Sequence, residues 1–120
     1  MENNPFAQEP KASSSWLWQV ITGIGLLVLL GFHLVAQHFI VKGGLRDFVD
    51  VVTYLRNPFV LVFEILFLVC VATHAMLGMR AILLDFGLSG RAERRVSRVL
   101  TGVGIATVAY GLLITWAVIH

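Results

Sequence analysis

Three stretches of this chain are too long and too poor in charge to be stabilised in water, and they decide what it can fold into. No charged residue lies between Lys11 and Lys42, none follows Arg98, and between Arg56 and Arg80 the only one is Glu64. An α-helix rises about 1.5 Å per residue and the hydrocarbon core of a bilayer is about 30 Å thick, so roughly 20 residues cross it. Each stretch reaches that length. Lipid offers the backbone no hydrogen bonds, which leaves helices or closed barrels, and runs of this length and apolarity are helical. The sequence predicts an all-α integral membrane protein with three transmembrane helices, over about residues 16–40, 58–84 and 99–119. Its composition, 58% hydrophobic and 13% charged, is far from that of a soluble domain.

The polar segments set the ends. Residues 1–15 (MENNPFAQEPKASSS) lack the basic segment followed by a short apolar core that marks a signal peptide, and are expected to be a retained, partly disordered tail or to lie on a partner subunit. Ser13, Ser14 and Ser15 offer N-cap oxygens, and Trp16 and Trp18 suit the membrane interface. Lys42, Gly43 and Gly44 break the first span. RDFVDVVTYLR then puts Phe48, Val51, Val52 and Leu55 at helical spacing, which predicts a short interfacial helix before Asn57-Pro58 opens the second span. Gly87, Ser89 and Gly90 end that span, and RAERRVSR reads as the loop to the third. In the third span Gly104, Thr107, Gly111 and Thr115 form a small-residue stripe suited to close helix packing. Gly23, Gly25 and Gly31 either admit a close neighbour or are ordinary membrane-helix composition. Lys11, Arg80, Arg91, Arg94, Arg95 and Arg98 on one side stand against Lys42, Arg46 and Arg56 on the other, which favours a cytoplasmic N-terminus. The single Cys70 excludes a disulfide framework or a cysteine metal site, and the net charge of +2 comes mostly from loop arginines, with no nucleic-acid surface.

Within this frame the histidines carry the chemistry. His33 and His38 lie in the first span, His74 in the second, and His120 is the last residue. An imidazole in lipid needs a partner, and four roles fit: heme ligation, metal ligation, proton relay, or a packing bond to a neighbouring helix. His33 falls seven residues from the outer end of its span and His74 about ten from the inner end of its own. They are therefore at different levels and do not readily share one iron; two stacked hemes would need ligands at two such levels. Around His74, Gly78, Ala81 and Asp85 fall within about 60° on a helical wheel, leaving room for a flat cofactor. His38 is turned about 140° from His33, so the two do not easily face one iron. No cysteine or second histidine at i+4 supports a zinc or copper site. Glu64 is level with His33 and is expected to be protonated, paired or in contact with water, as a proton carrier or as a structural bond. Arg80 reaches the headgroups or a cofactor carboxylate. Tyr54 and Tyr110 are interfacial or packing residues able to donate a hydrogen bond.

HLVAQHF in the first span, followed by FEILFLVCVATHAMLG in the second, resembles the diheme cytochrome b anchors of succinate:menaquinone and quinol:fumarate oxidoreductases. HAMLGM with Leu84-Asp85-Phe86 is similar to the second span of the small three-helix membrane anchor of bacterial succinate dehydrogenases. The resemblance covers roughly residues 25–86. It implies that His33 ligates an outer (distal) heme b and His74 an inner (proximal) one; Arg80 could then pair with a heme propionate or serve as a positive-inside anchor, and Asp85, near the membrane surface, could meet a quinone head or a partner subunit. His38 matches a family histidine but points elsewhere than His33, which would leave it a propionate or quinone-side role. Phe86 stands where single-heme ubiquinone enzymes have a quinone-bonding tyrosine, which points to menaquinone. The resemblance also implies a sister anchor subunit that completes a six-helix bundle, an iron–sulfur subunit, a flavoprotein, and a place in the bacterial cytoplasmic (inner) membrane. The chain itself would hold no succinate site. The alternatives are the anchor of a quinol:fumarate reductase, another diheme cytochrome b, or a non-redox membrane scaffold whose histidines bond across helices.

Overall fold

A computed structural model describes residues 14–39 and 47–120. The described residues form four helices: α1 (Ser14–His38), α2 (Phe48–Arg56), α3 (Pro58–Leu84) and α4 (Gly90–Ile119). Among them there is no strand. α1, α3 and α4 are the helices long and apolar enough to cross a membrane. The polar tail before Ser14, and the break at Lys42, Gly43 and Gly44, lie outside the described residues.

Side-chain chemistry fixes the helix starts. α2 begins with a capping box: Asp47 accepts from the Asp50 N–H at 2.8 Å and Asp50 accepts from the Asp47 N–H at 3.3 Å. α3 begins with Pro58 in its first turn, while the Asn57 side chain accepts from the Phe59 N–H at 3.0 Å. Gly87, at φ +72°, takes the left-handed conformation that turns the chain away after α3. Ser89 then caps α4 by accepting from the Ala92 N–H at 3.3 Å. α4 therefore starts at Gly90, and RAERRVSR is helical where the sequence reading has a loop. Six of its eight residues are arginine, alanine or glutamate, good helix formers behind a good cap, so a charged run here extends a membrane helix beyond the lipid.

α3 is the central element, packed against α1 on one side and α4 on the other, with α2 lying against α3 and α4. On α1 the residues turned toward α3 are Gln19, Thr22, Leu26, Leu29, His33 and Ala36, spaced by threes and fours. On α4 the half-buried series is Ser97, Leu100, Gly104, Val108, Gly111, Thr115 and Val118. Both are the 3.5-residue seams of nearly antiparallel helices. Gly104, Gly111 and Thr115 of the expected stripe lie on that seam; Thr107 is exposed and Val108 takes its place, since a step of four keeps to the face better than a step of three here. Leu68 of α3 fills the space beside Gly111, and Met76 that beside Gly104. Outside the seams the apolar side chains are exposed, as suits helices whose solvent is lipid or a further subunit.

Two long-range contacts fix the ends of the bundle. Arg56 of α2 donates to the Ile119 carbonyl at 3.3 Å, so α2 shares an end with the C-terminus of α4. At the other end the Arg80 Nε–H donates to Ser97 Oγ at 2.8 Å, and the same guanidinium stands 3.5 Å from Glu93.

Candidate functional site

The α1–α3 seam holds two polar knots, each built round one histidine. Near the α2 end, His33 of α1 meets Glu64 of α3, with Nδ1 2.9 and 3.0 Å from the two carboxylate oxygens. Tyr54 of α2 donates its hydroxyl to Oε1 of the same carboxylate at 2.6 Å. Glu64 is thus paired, from two other helices. The His33 ring also stacks at a tilt on Phe67, with centroids 5.0 Å apart, while the neighbouring Phe32 and Phe63 stack at 4.3 Å. A cavity of about 330 Å³ opens beside this knot, lined by His33, Glu64, Phe67, Leu55, Gly111 and Thr115 among others.

Near the other end, His74 of α3 points at the first turns of α1. Its Nδ1 lies 3.2 Å from the Gln19 carbonyl and 3.1 Å from Thr22 Oγ1. A carbonyl only accepts, so Nδ1 carries the proton. The Thr22 hydroxyl donates back to the Trp18 carbonyl at 2.7 Å, leaving a lone pair for the same Nδ1–H. Thr22 is one of the three most buried described residues, and the Cys70 thiol donates to its carbonyl at 3.2 Å. Gly23 makes the approach possible: a Cβ there would stand 3.2 Å from His74 Cε1.

A neutral imidazole that donates through Nδ1 keeps its lone pair on Nε2. For His74 the carbonyl dictates this tautomer; for His33 a carboxylate acceptor stabilises it. The arrangement suits nitrogen donors oriented by a partner on the far side of the ring, as ligating histidines are. Along α3, Glu64 and His74 are ten residues apart, so the knots are separated by roughly 15 Å of helix axis. Among the described residues no three His, Cys, Asp or Glu side chains converge. Each knot therefore offers a single imidazole and no self-contained metal-binding cluster among the described residues.

The other sequence candidates lie apart from these knots. His38 is exposed at the C-terminal end of α1, and Tyr110 is exposed on α4. Asp85 is the exposed C-cap of α3, and Phe86 beside it is 78% exposed. Arg80 is engaged by Ser97 and Glu93 of α4. Gln19 and Thr22 are the residues that sequence reasoning missed. A second cavity of about 490 Å³ lies between α3 and α4, lined by Ala72, Met76, Gly104, Val108 and their neighbours; it is almost wholly apolar.

Residues 6–114 match the family described as succinate dehydrogenase/fumarate reductase transmembrane subunit. The chain is 30% identical over 96 residues to the succinate dehydrogenase hydrophobic membrane anchor subunit of Thermoplasma acidophilum, covering 80% of this chain and 78% of that protein. It is 32% identical over 118 residues to the protein of the same name from Archaeoglobus fulgidus, covering 98% and 97%.

Proposed function

This chain belongs to the succinate dehydrogenase/fumarate reductase transmembrane subunit family, and from that premise we propose that it is a heme b-binding anchor passing electrons toward quinone. Its three apolar helices make it a multi-pass membrane subunit of the enzyme complex. The observation that carries the heme reading is the shared orientation of His33 and His74: each is fixed through Nδ1 at its own level of one seam. A porphyrin fills four positions on its iron, so a single imidazole nitrogen per level is the donor set that a b-type heme asks of one chain. His33 would hold the outer heme and His74 the inner one, and a bound heme supplies one-electron transfer at each level. A sister anchor subunit would supply the remaining ligands, which would make this chain half of a six-helix bundle.

Each residue then has a defined task. The Gln19 carbonyl and Thr22 hydroxyl hold His74 in the ligating tautomer, and Gly23 gives the ring its space. Glu64 orients His33 and, beside the cavity at the outer end, is the group through which a proton reaches or leaves a quinone there. Unchanged quinone turnover in Glu64→Gln would remove that proton role. The arginines of the first turns of α4 would face the iron–sulfur and flavoprotein subunits on the cytoplasmic side, while Arg80, held by Ser97 and Glu93, is left a headgroup or heme-propionate role. Asp85 lies toward the inner quinone region, and Phe86, which has no hydroxyl, favours menaquinone. His38, at the outer end of α1, is left a propionate or quinone-side role.

The test is the absorption spectrum of the complex purified from its membrane. Low-spin b-heme bands are expected, with one heme lost in His33→Ala and the other in His74→Ala. Bands unchanged by both substitutions would sink the ligand assignment. A complex without b-heme bands would leave the scaffold reading, in which the same hydrogen bonds only tie helices together.

A further inference from the structure

We propose that Tyr54 and Glu64 form a lever that sets the reduction potential of the heme held by His33, with Tyr54 as a positioning residue on the interfacial helix; this rests on the reading of His33 as an axial ligand. The chain of contacts is continuous. Tyr54 donates to Glu64 Oε1 at 2.6 Å, and the same carboxylate stands 2.9 and 3.0 Å from His33 Nδ1. A carboxylate accepting from Nδ1–H pushes electron density into the ring, makes Nε2 a stronger donor and favours ferric over ferrous iron. Tyr54 works in the opposite sense, because its hydroxyl draws density from the oxygen that the imidazole needs. The knot round His74 has no such lever, since its Nδ1 meets a neutral carbonyl and a hydroxyl.

Tyr54 is also held in a way that suits a control element. It lies on α2, which is started by the Asp47–Asp50 capping box and tied to the end of α4 through Arg56 and the Ile119 carbonyl. Whatever seats or tilts α2 at the membrane surface therefore reaches the outer heme through one hydroxyl.

The experiment is a redox titration of the purified complex, followed at the b-heme absorbance, with His33→Ala identifying which heme His33 holds. Glu64→Gln keeps the shape and removes the charge. It is expected to raise that heme's potential by about tenfold in the one-electron equilibrium, about 59 mV. Tyr54→Phe removes only the hydroxyl and is expected to lower the same potential, leaving the other heme where it was. A potential unmoved in Tyr54→Phe, or both hemes moving together in either variant, overturns the lever while leaving the ligand assignment intact. If His33→Ala removes no heme, the ligand assignment falls and the lever falls with it.

Discussion

A side chain at Gly23 would begin 3.2 Å from the Cε1 of His74, tighter than nine in ten real Cβ contacts. Gly23→Ala should therefore push the imidazole a few tenths of an ångström off the Gln19 carbonyl, and Gly23→Leu should displace it altogether. The expected outcome is a partial loss of heme per complex in the first and full loss of one heme in the second, read from absorbance against protein. Gly31→Ala is the control, because nothing lies within 4 Å of the place its Cβ would take, and heme content should stay unchanged. Thr22→Val probes the same knot more gently: the Gln19 carbonyl still accepts from Nδ1–H, so heme is retained. Losing one of the two acceptors costs about 0.5–1.5 kcal/mol, seen as a small drop in the melting temperature of the complex. Gln19 and Thr22 escape notice in the sequence because polar residues near the start of a membrane helix look interfacial. Their signal was register: Gln19, Thr22, Leu26, Leu29 and His33 recur at threes and fours, so whatever faces α3 at His33 also faces it at Gln19 and Thr22. Tyr54 reads from the sequence as a hydrogen-bond donor, but its partner Glu64 does not, since a contact between α2 and α3 depends on how the short helix lies, which local pattern does not encode.

At the scale of the element, α4 shows what patterning reveals and what it hides. The three apolar spans and the amphipathic α2 were legible, because composition over about 20 residues is a stronger signal than any single residue. The start of α4 was not. Charge marks where lipid ends, whereas a helix ends where its backbone bonds end, and at Arg91–Arg98 these two boundaries are separated by two turns. The seam with α3 sets the next expectation. A Cβ on Gly111 would stand 2.6 Å from Leu68 Cδ2, so Gly111→Ala must shift either the leucine or the helix. Overpacking of this kind costs about 1–3 kcal/mol. The yield of assembled complex should fall, and Leu68→Ala in the same chain should restore part of it, because the two changes act on one contact. A loss in Gly111→Ala that Leu68→Ala does not relieve would mean that this face of α4 packs against something other than α3.

At the scale of the whole molecule, the ends of the bundle are chemically unlike, and that difference argues for its direction in the membrane. α2, the His33 knot and the C-terminus of α4 share one end, through Tyr54 and Glu64 and through Arg56 and Ile119. Arg80 and the arginines 91, 94, 95 and 98 gather near the other, where Arg80 bonds to Ser97. Arginine-rich ends favour the cytoplasm, so the proposed function would put the His74 knot inward and the His33 knot outward. Thiol labelling tests this with little disturbance. Cys70→Ser removes the native thiol and keeps a donor for the Thr22 carbonyl. In that background Thr53→Cys is exposed on α2 and Arg95→Cys on the first turns of α4. A membrane-impermeant maleimide should label Thr53→Cys in intact cells. It should reach Arg95→Cys only after the membrane is opened and the soluble subunits are stripped. The reverse pattern would turn the bundle over, put His33 rather than His74 next to the iron–sulfur subunit, and make α2 a surface for the soluble subunits instead of an outer lever.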